Sequence, residues 1–206
     1  MTDYLSIHPE TPQPRLIHAA VEVLRSGGVL VYPTDTTYAV GCHIVDKAAS
    51  HRIRQIRNKD AKHNFALMCQ DLSDSSTYAK YSTPVYRLLK SHTPGPYTFL
   101  LPATREVPRR LQHPKKKTIG LRVPDYEILR MILADLGEPL LTSSLRMPGE
   151  DLPLNDIRDI RNRLDGRVEV VIDAGPCGLD PTTLIRFERD EPTVVRVGAG
   201  DPRAFE

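Results

Sequence analysis

The sequence predicts an α/β domain built on a mixed, twisted sheet, and three observations carry that expectation. Short runs of buried-strand character alternate with segments of helical apolar spacing, and no internal repeat or low-complexity linker interrupts them. The length of 206 residues suits one large domain with a substantial core. Helices thin out toward the C-terminal end, where strands follow one another closely; a wholly parallel sheet would need a crossover between every pair, so the sheet is expected to be mixed.

In chain order, an extended start (1–14) leads into PRLIHAAVEVLRSGG, whose Leu16, Ala20, Val23 and Leu24 fall on one helical stripe and whose Gly27 supplies a stop. VLVY (29–32) is a buried strand. Lys47 to Arg57 reads as a helix with Ala49, Ile53 and Ile56 at helical spacing. FALMC (65–69) is a strand, PVYRLLKSH (84–92) a helix with proline at its start, and YTFLL (97–101) a strand. TIGLRV (118–123), a helix from Asp125 to Leu136 closed by Gly137, and PLLTSS (139–144) follow. A polar helix over Asn155 to Leu164 precedes three strands at 168–173, 182–187 and 193–197, and 201–206 form a tail.

Composition bounds the function. With 40% hydrophobic and 26% charged residues the chain is expected to be an ordinary globular protein rather than a disordered one. The start MTDYLSIHPETPQP lacks the charged and apolar regions of a signal peptide, and no apolar run suits a membrane span, so a cytoplasmic location is expected. Cys42, Cys69 and Cys177 show no metal-ligand spacing and read as buried or incidental thiols. Charge is uneven: His51 to Lys62 holds five Arg or Lys against one Asp, and Lys115 to Lys117 follow Arg109 and Arg110, whereas Glu150 to Glu191 holds eleven acids against six arginines. Such asymmetry suits an anionic ligand on one face, or a merely solvated surface.

The chain contains no GxxxxGK[ST] loop, no GxGxxG after a strand, no HExxH and no GxSxG, which disfavours P-loop, Rossmann, zincin and α/β-hydrolase chemistry. Instead, several strand ends stop in polar residues. Thr34, Asp35 and Thr36 end the first; Thr142, Ser143 and Ser144 end LLTSS; Thr182 and Thr183 begin TTLIRF. One such cluster is an ordinary capped turn, but several in one domain point to a polar ligand gathered at strand ends. Arg122 and Arg196 each interrupt an apolar strand, where a guanidinium needs either an internal salt bridge or a bound carboxylate or phosphate.

GGVLVYPTDTTYAVGC (27–42) resembles the YPTDTxYGLG signature of the YrdC-like threonylcarbamoyladenylate synthases, and IRNKDAKHNFALM, TPGPYTFLL, KTIGLRVP, EPLLTSS, DPTTLI and VVRVGAGD continue the similarity in family order over about residues 15–200. HNFALM and PGPYTFLL, followed by VPRRL and KKKTIGLRVP, are most similar to the family's YciO branch. The resemblance implies a strongly twisted α/β sheet with a basic concave face. It also implies a nucleotidyltransferase that joins L-threonine, bicarbonate and ATP, releases pyrophosphate, and supplies threonylcarbamoyl-AMP for tRNA modification. On the same basis Thr36, Arg122 and Thr182 correspond to threonine-binding positions, and Arg57, Lys59, Thr118, Ser143, Ser144 and Arg196 to ATP-binding ones. No side chain is assigned a catalytic role beyond positioning. Mg²⁺ is expected to be held mainly through phosphates, with no metal ligand from the protein.

The sequence departs from the family pattern mainly on the nucleotide side. The basic pair reads Arg57-x-Lys59 in place of Lys-x-Arg, Asp60 replaces a proline, and Ser143-Ser144-Leu145 replaces Ser-Ala-Asn. Arginine and lysine present different donor geometry to phosphate. An alternative therefore stands beside the enzyme: a protein that binds double-stranded RNA or tRNA through Arg52, Arg54, Arg109, Arg110, Lys115, Lys116 and Lys117.

Overall fold

The computed structural model describes residues 1–57 and 65–206. Six helices and ten strands are present among the described residues. The strands form one sheet in the order β1 (Asp3–Ser6), β8 (Val170–Asp173), β2 (Val29–Tyr32), β3 (Ala39–His43), β7 (Leu140–Ser144), β4 (Ala66–Met68), β6 (Thr118–Arg122), β5 (Tyr97–Pro102), β9 (Thr183–Glu188), β10 (Glu191–Arg196). The sheet is mixed, as expected: β1 and β2 run parallel to β8, β4 to β6 and β5 to β9, and the other neighbours are antiparallel.

Several elements differ from the sequence reading. The extended start contains β1, an edge strand on β8, and the tail brings Phe205 into the core beside Tyr97 and Phe99. The buried face of α1 (Pro14–Arg25) is Ile17, Ala20, Val21 and Leu24, with Leu16 and Val23 flanking it. The stripe is rotated toward the second core, which Ile17 and Val21 share with residues of α5 (Glu127–Leu136), the helix packed alongside. Two elements were not anticipated. AVGCH forms β3, hidden by a glycine that weakens strand propensity. LSDSSTY forms α3 (Leu72–Tyr78), whose polar composition is offset by an N-cap in which the Asp71 carboxylate accepts the Asp74 amide at 2.8 Å. The other helices, α2 (Lys47–Ile56), α4 (Thr83–Lys90) and α6 (Ile157–Leu164), start on Asp46, Ser82 and Asp156 caps, which moves the first residue of α6 past the expected Asn155. None of the described helices is long and apolar enough to cross a membrane.

The alternation of side chains along each strand positions the site. Across the sheet one register row reads Cys42, Leu141, Leu67, Leu121, Phe99, Ile185. All six side chains enter the larger core, with residues of α2, α4 and α6. The neighbouring row points to the other face and reads Val170, Leu30, Gly41, Thr142, Ala66, Gly120, Leu100. At one end of it Val170 and Leu30 lie in the second core with α1 and α5, and at the other Leu100 borders the cavity described below. From Gly41 to Gly120 the residues are small, and there the sheet face is left concave.

Gly41 is required by a crossing. The Tyr32 hydroxyl donates to Thr142 Oγ1 at 2.8 Å, and a Cβ at residue 41 would lie 2.5 Å from that hydroxyl and 2.8 Å from the Leu141 carbonyl oxygen. Gly41→Ala is therefore expected to cost about 1–3 kcal/mol, as overpacking does elsewhere, and to lower the urea midpoint. Combining it with Tyr32→Phe should recover only part of the loss, since the carbonyl contact remains.

Candidate functional site

The concave face carries a cavity of about 450 Å³, within the range of small-molecule sites. Its floor includes Ala39, Ala66, Thr98, Gly120 and Thr142, and among the described residues its charged lining consists of Arg57, Arg122, Arg146, Arg196 and Asp151. Among the described residues, four guanidinium groups thus face one carboxylate.

The loop between β2 and β3 is closed by side chains. Thr34 Oγ1 accepts the amides of Thr36 and Thr37, each at 3.1 Å, and donates to the Thr37 carbonyl at 2.7 Å. That turn presents Asp35 and Thr36 to Arg122 on β6. Arg122 Nη2 forms an ion pair with the Asp35 carboxylate and donates to Thr36 Oγ1 at 2.8 Å and Thr34 Oγ1 at 3.2 Å. The other Asp35 oxygen accepts the Asp125 amide at 3.2 Å. The Arg122 and Asp35 side chains are 8% and 10% exposed. The hydroxyls at the first strand end therefore grip a guanidinium. The internal salt bridge and the ligand-facing arginine, alternatives in the sequence, coexist: Nη2 is committed, while Nε is buried without a partner among the described residues and Arg122 still lines the cavity.

Arg57, at the C-terminal end of α2, donates from Nη1 to Ser143 Oγ at the end of β7, and both residues are buried. Burial first, and the Arg146 charge second, push the Arg57 pKa down to about 10. The same two causes, in the same order, lower that of Arg196. Arg196 is anchored at the rim by Nη2 donating to the Thr182 carbonyl at 2.8 Å, while Thr182 Oγ1 pairs with Thr98 Oγ1 at 2.7 Å. Opposite this, the segment after β8 passes so close to Thr36 that a Cβ at Gly178 would lie 2.5 Å from the Thr36 carbonyl oxygen.

Of the residues singled out in the sequence, the cavity lining brings together Arg57, Arg122, Ser143, Ser144, Thr182 and Arg196. Thr36 reaches it through its bond to Arg122. Thr118 shares a strand face with Gly120 and Arg122 but lies at the far end of β6, outside the lining. Lys59 and Asp60 lie outside the described residues. None of the seven residues of the RNA-binding alternative lines the cavity. Arg52 is paired with Glu169 at 2.7 Å and Lys116 with Glu188 at 2.9 Å. Arg54 sits over the Phe65 ring and donates to the Arg110 carbonyl, and Arg110 donates to the carbonyls of Ile44 and Val45. The thiols are unsuited to nucleophilic work: burial pushes Cys177 up to about 11 and Cys42 to about 12, and raises Cys69.

Asp35 and Arg146 were missed as site residues. Asp35 read as one more polar turn residue, and its partner is 87 positions away. For Arg146 a signal was present, the two-residue period that continues from Thr142 and Ser144.

Comparison with known proteins adds a second line of observation. Residues 22–198 match the family model for Sua5, YciO and YrdC proteins, described as telomere recombination. The chain is 50% identical to the uncharacterised YciO of Escherichia coli (strain K12) over the full length of both, and superposes on that protein's crystal structure with a TM-score of 0.96, again with full coverage of both chains. It is 28% identical to the threonylcarbamoyl-AMP synthase of Coxiella burnetii (strain RSA 493), covering 79% of this chain and 86% of the relative. A P. abyssi Sua5 structure carrying H234A and Y235A aligns at 25% identity with a TM-score of 0.88, covering 97% of this chain and 61% of that one.

Proposed function

Because the chain belongs to the Sua5/YciO/YrdC family, we propose that its cavity is a threonylcarbamoyl-AMP synthase site, taking L-threonine, bicarbonate and ATP. The observation that carries this reading is the four-arginine lining. Arg122, seated on the Thr34–Thr36 turn, and the group Arg57, Arg146 and Arg196 open into one cavity. A substrate with a carboxylate and a polyphosphate would satisfy both sets of donors. The name of the Coxiella burnetii relative supports the same reaction.

In the proposed reaction the threonine amine adds to bicarbonate with loss of water to give a carbamate. A carbamate oxygen then attacks the α-phosphorus; the new P–O bond forms as the bond to the β-phosphate bridging oxygen breaks, and pyrophosphate departs. Arg122 and Thr36 would hold the amino-acid carboxylate, Thr182 would bound the same pocket, and Arg57, Ser143, Ser144 and Arg196 would neutralise and align the phosphates. Positioning and charge neutralisation would supply the acceleration. Thr118, expected on the ATP side, lies outside the lining and is given no role here.

Mg²⁺ would accompany the nucleotide. Among the described residues Asp151 is the one carboxylate in the lining and no cluster of three or more candidate ligands occurs, so phosphate and water oxygens would coordinate the ion. The product, a mixed anhydride, suits later transfer of its acyl group to an adenosine of tRNA.

Incubating the protein with labelled threonine, bicarbonate, ATP and Mg²⁺ should give a labelled adenylate and stoichiometric pyrophosphate, both dependent on bicarbonate. If chromatography finds no adenylated threonine under these conditions, the reading fails.

A further inference from the structure

We infer that Arg146 is a phosphate-binding residue of the cavity, acting with Arg57 and Arg196 on the polyphosphate of the bound nucleotide. The inference rests on the nucleotide reading of the site and adds a residue that neither the strand-end motifs nor the resemblance assigned.

Backbone pairing aims the side chain. The ladder between β3 and β7 continues one step past Ser144, with the Leu145 amide donating to the Tyr38 carbonyl at 2.9 Å, and the Leu145 carbonyl accepts the Leu154 amide at 2.8 Å. Leu145 is 0% exposed and belongs to the larger core. Position 145 is thus turned away from the cavity and held there. Arg146, one residue on, turns its amide back to the Ser144 carbonyl at 2.9 Å, and it lines the cavity with Thr142 and Ser144.

Two further observations point to an anion. Arg146 is exposed at the rim, and after burial it is the Arg146 charge that lowers the pKa of both Arg57 and Arg196, so it lies near enough to repel each of them. Arg57 is 6% exposed, lines the same cavity, and has a buried Nε with no partner among the described residues. Like charges gathered around an unsatisfied donor are relieved by a ligand that carries several negative charges on one chain of oxygens. A triphosphate or pyrophosphate has that form.

The probe is inorganic tripolyphosphate, titrated calorimetrically in dilute buffer into the wild-type protein, Arg146→Ala, Arg146→Lys and, as a charge control outside the cavity, Arg105→Ala. Arg146→Ala should weaken binding about tenfold to a hundredfold, Arg146→Lys should lose less, and Arg105→Ala should match the wild type. Equal urea midpoints for the four proteins confirm that an exposed side chain has been removed without unfolding. The inference is overturned if the wild type does not bind tripolyphosphate, or if Arg146→Ala loses no more than Arg105→Ala. Neither threonine nor turnover is involved, so a protein that binds tripolyphosphate through Arg146 but makes no adenylate loses the proposed reaction and keeps this site.

Discussion

Replacing Arg122 with alanine is expected to remove adenylate formation by a hundredfold or more and to destabilise the fold by about 3–5 kcal/mol. The two effects have one origin. Arg122 Nη2 is the hub of the β2–β3 turn, bonded to Asp35, Thr36 and Thr34. Without it the Asp35 carboxylate, 10% exposed, keeps the single amide of Asp125, and an uncompensated buried charge is costly. Asp35→Asn should cost less stability, because the arginine it frees lines the cavity and can be met by a buffer anion, whereas Asp35 is outside the lining. That order of urea midpoints, Arg122→Ala below Asp35→Asn below wild type, is the measurement. A midpoint for Arg122→Ala equal to wild type would show that the ion pair does not hold the turn. In Asp35→Asn the guanidinium loses its orienting partner, so the KM for the amino acid should rise more than kcat falls.

The legibility of this fold in its sequence followed the strength of local signals. Helices with a clear apolar period and a glycine or proline at one end, such as Glu127–Leu136 before Gly137, were placed within two residues. The alternation of strand and helix was enough for the mixed sheet. Elements were missed where tertiary context overrides propensity: β3 carries Gly41 because a tyrosine must cross it, and α3 is polar along its length but capped. Pairing was illegible for the same reason that the Arg122 partner was. Asp35 and Arg122 are brought together by β2, β3, β7, β4 and β6 lying side by side, and that order is nowhere written in adjacent residues. The resemblance found three of the four arginines of the described lining because it carries positions across such distances. It could not find Arg146, which lies just beyond a motif in which this chain departs from the family pattern.

Arg57→Met is expected to leave the unliganded protein as stable as wild type or up to about 2 kcal/mol more stable, while nearly abolishing polyphosphate binding and turnover. Arg57 is buried, its charge is compensated by no carboxylate among the described residues, and Arg146 opposes it. A methionine of similar length would fill the space beside Ser143 without a desolvated charge, and such replacements are commonly neutral or stabilising. The pH dependence gives the sign. Burial holds the guanidinium pKa down to about 10, so the folded state disfavours the protonated form, and the penalty is fully present below pH 10. It is relieved as pH rises through about 10 toward the ordinary arginine value. The stability difference between Arg57→Met and wild type should therefore be constant from pH 6 to about pH 9 and shrink above pH 10. Tripolyphosphate should reverse the ranking at neutral pH: by mass action a ligand that binds only the folded state stabilises it, and only the wild type retains the buried guanidinium that draws it in. A variant that is less stable than wild type at pH 7, with a loss that tripolyphosphate does not change, would mean that Arg57 serves the packing of α2 against β7 rather than the ligand. The fold would then be maintaining a buried cation for its bond to Ser143 alone, which a neutral side chain could supply at lower cost.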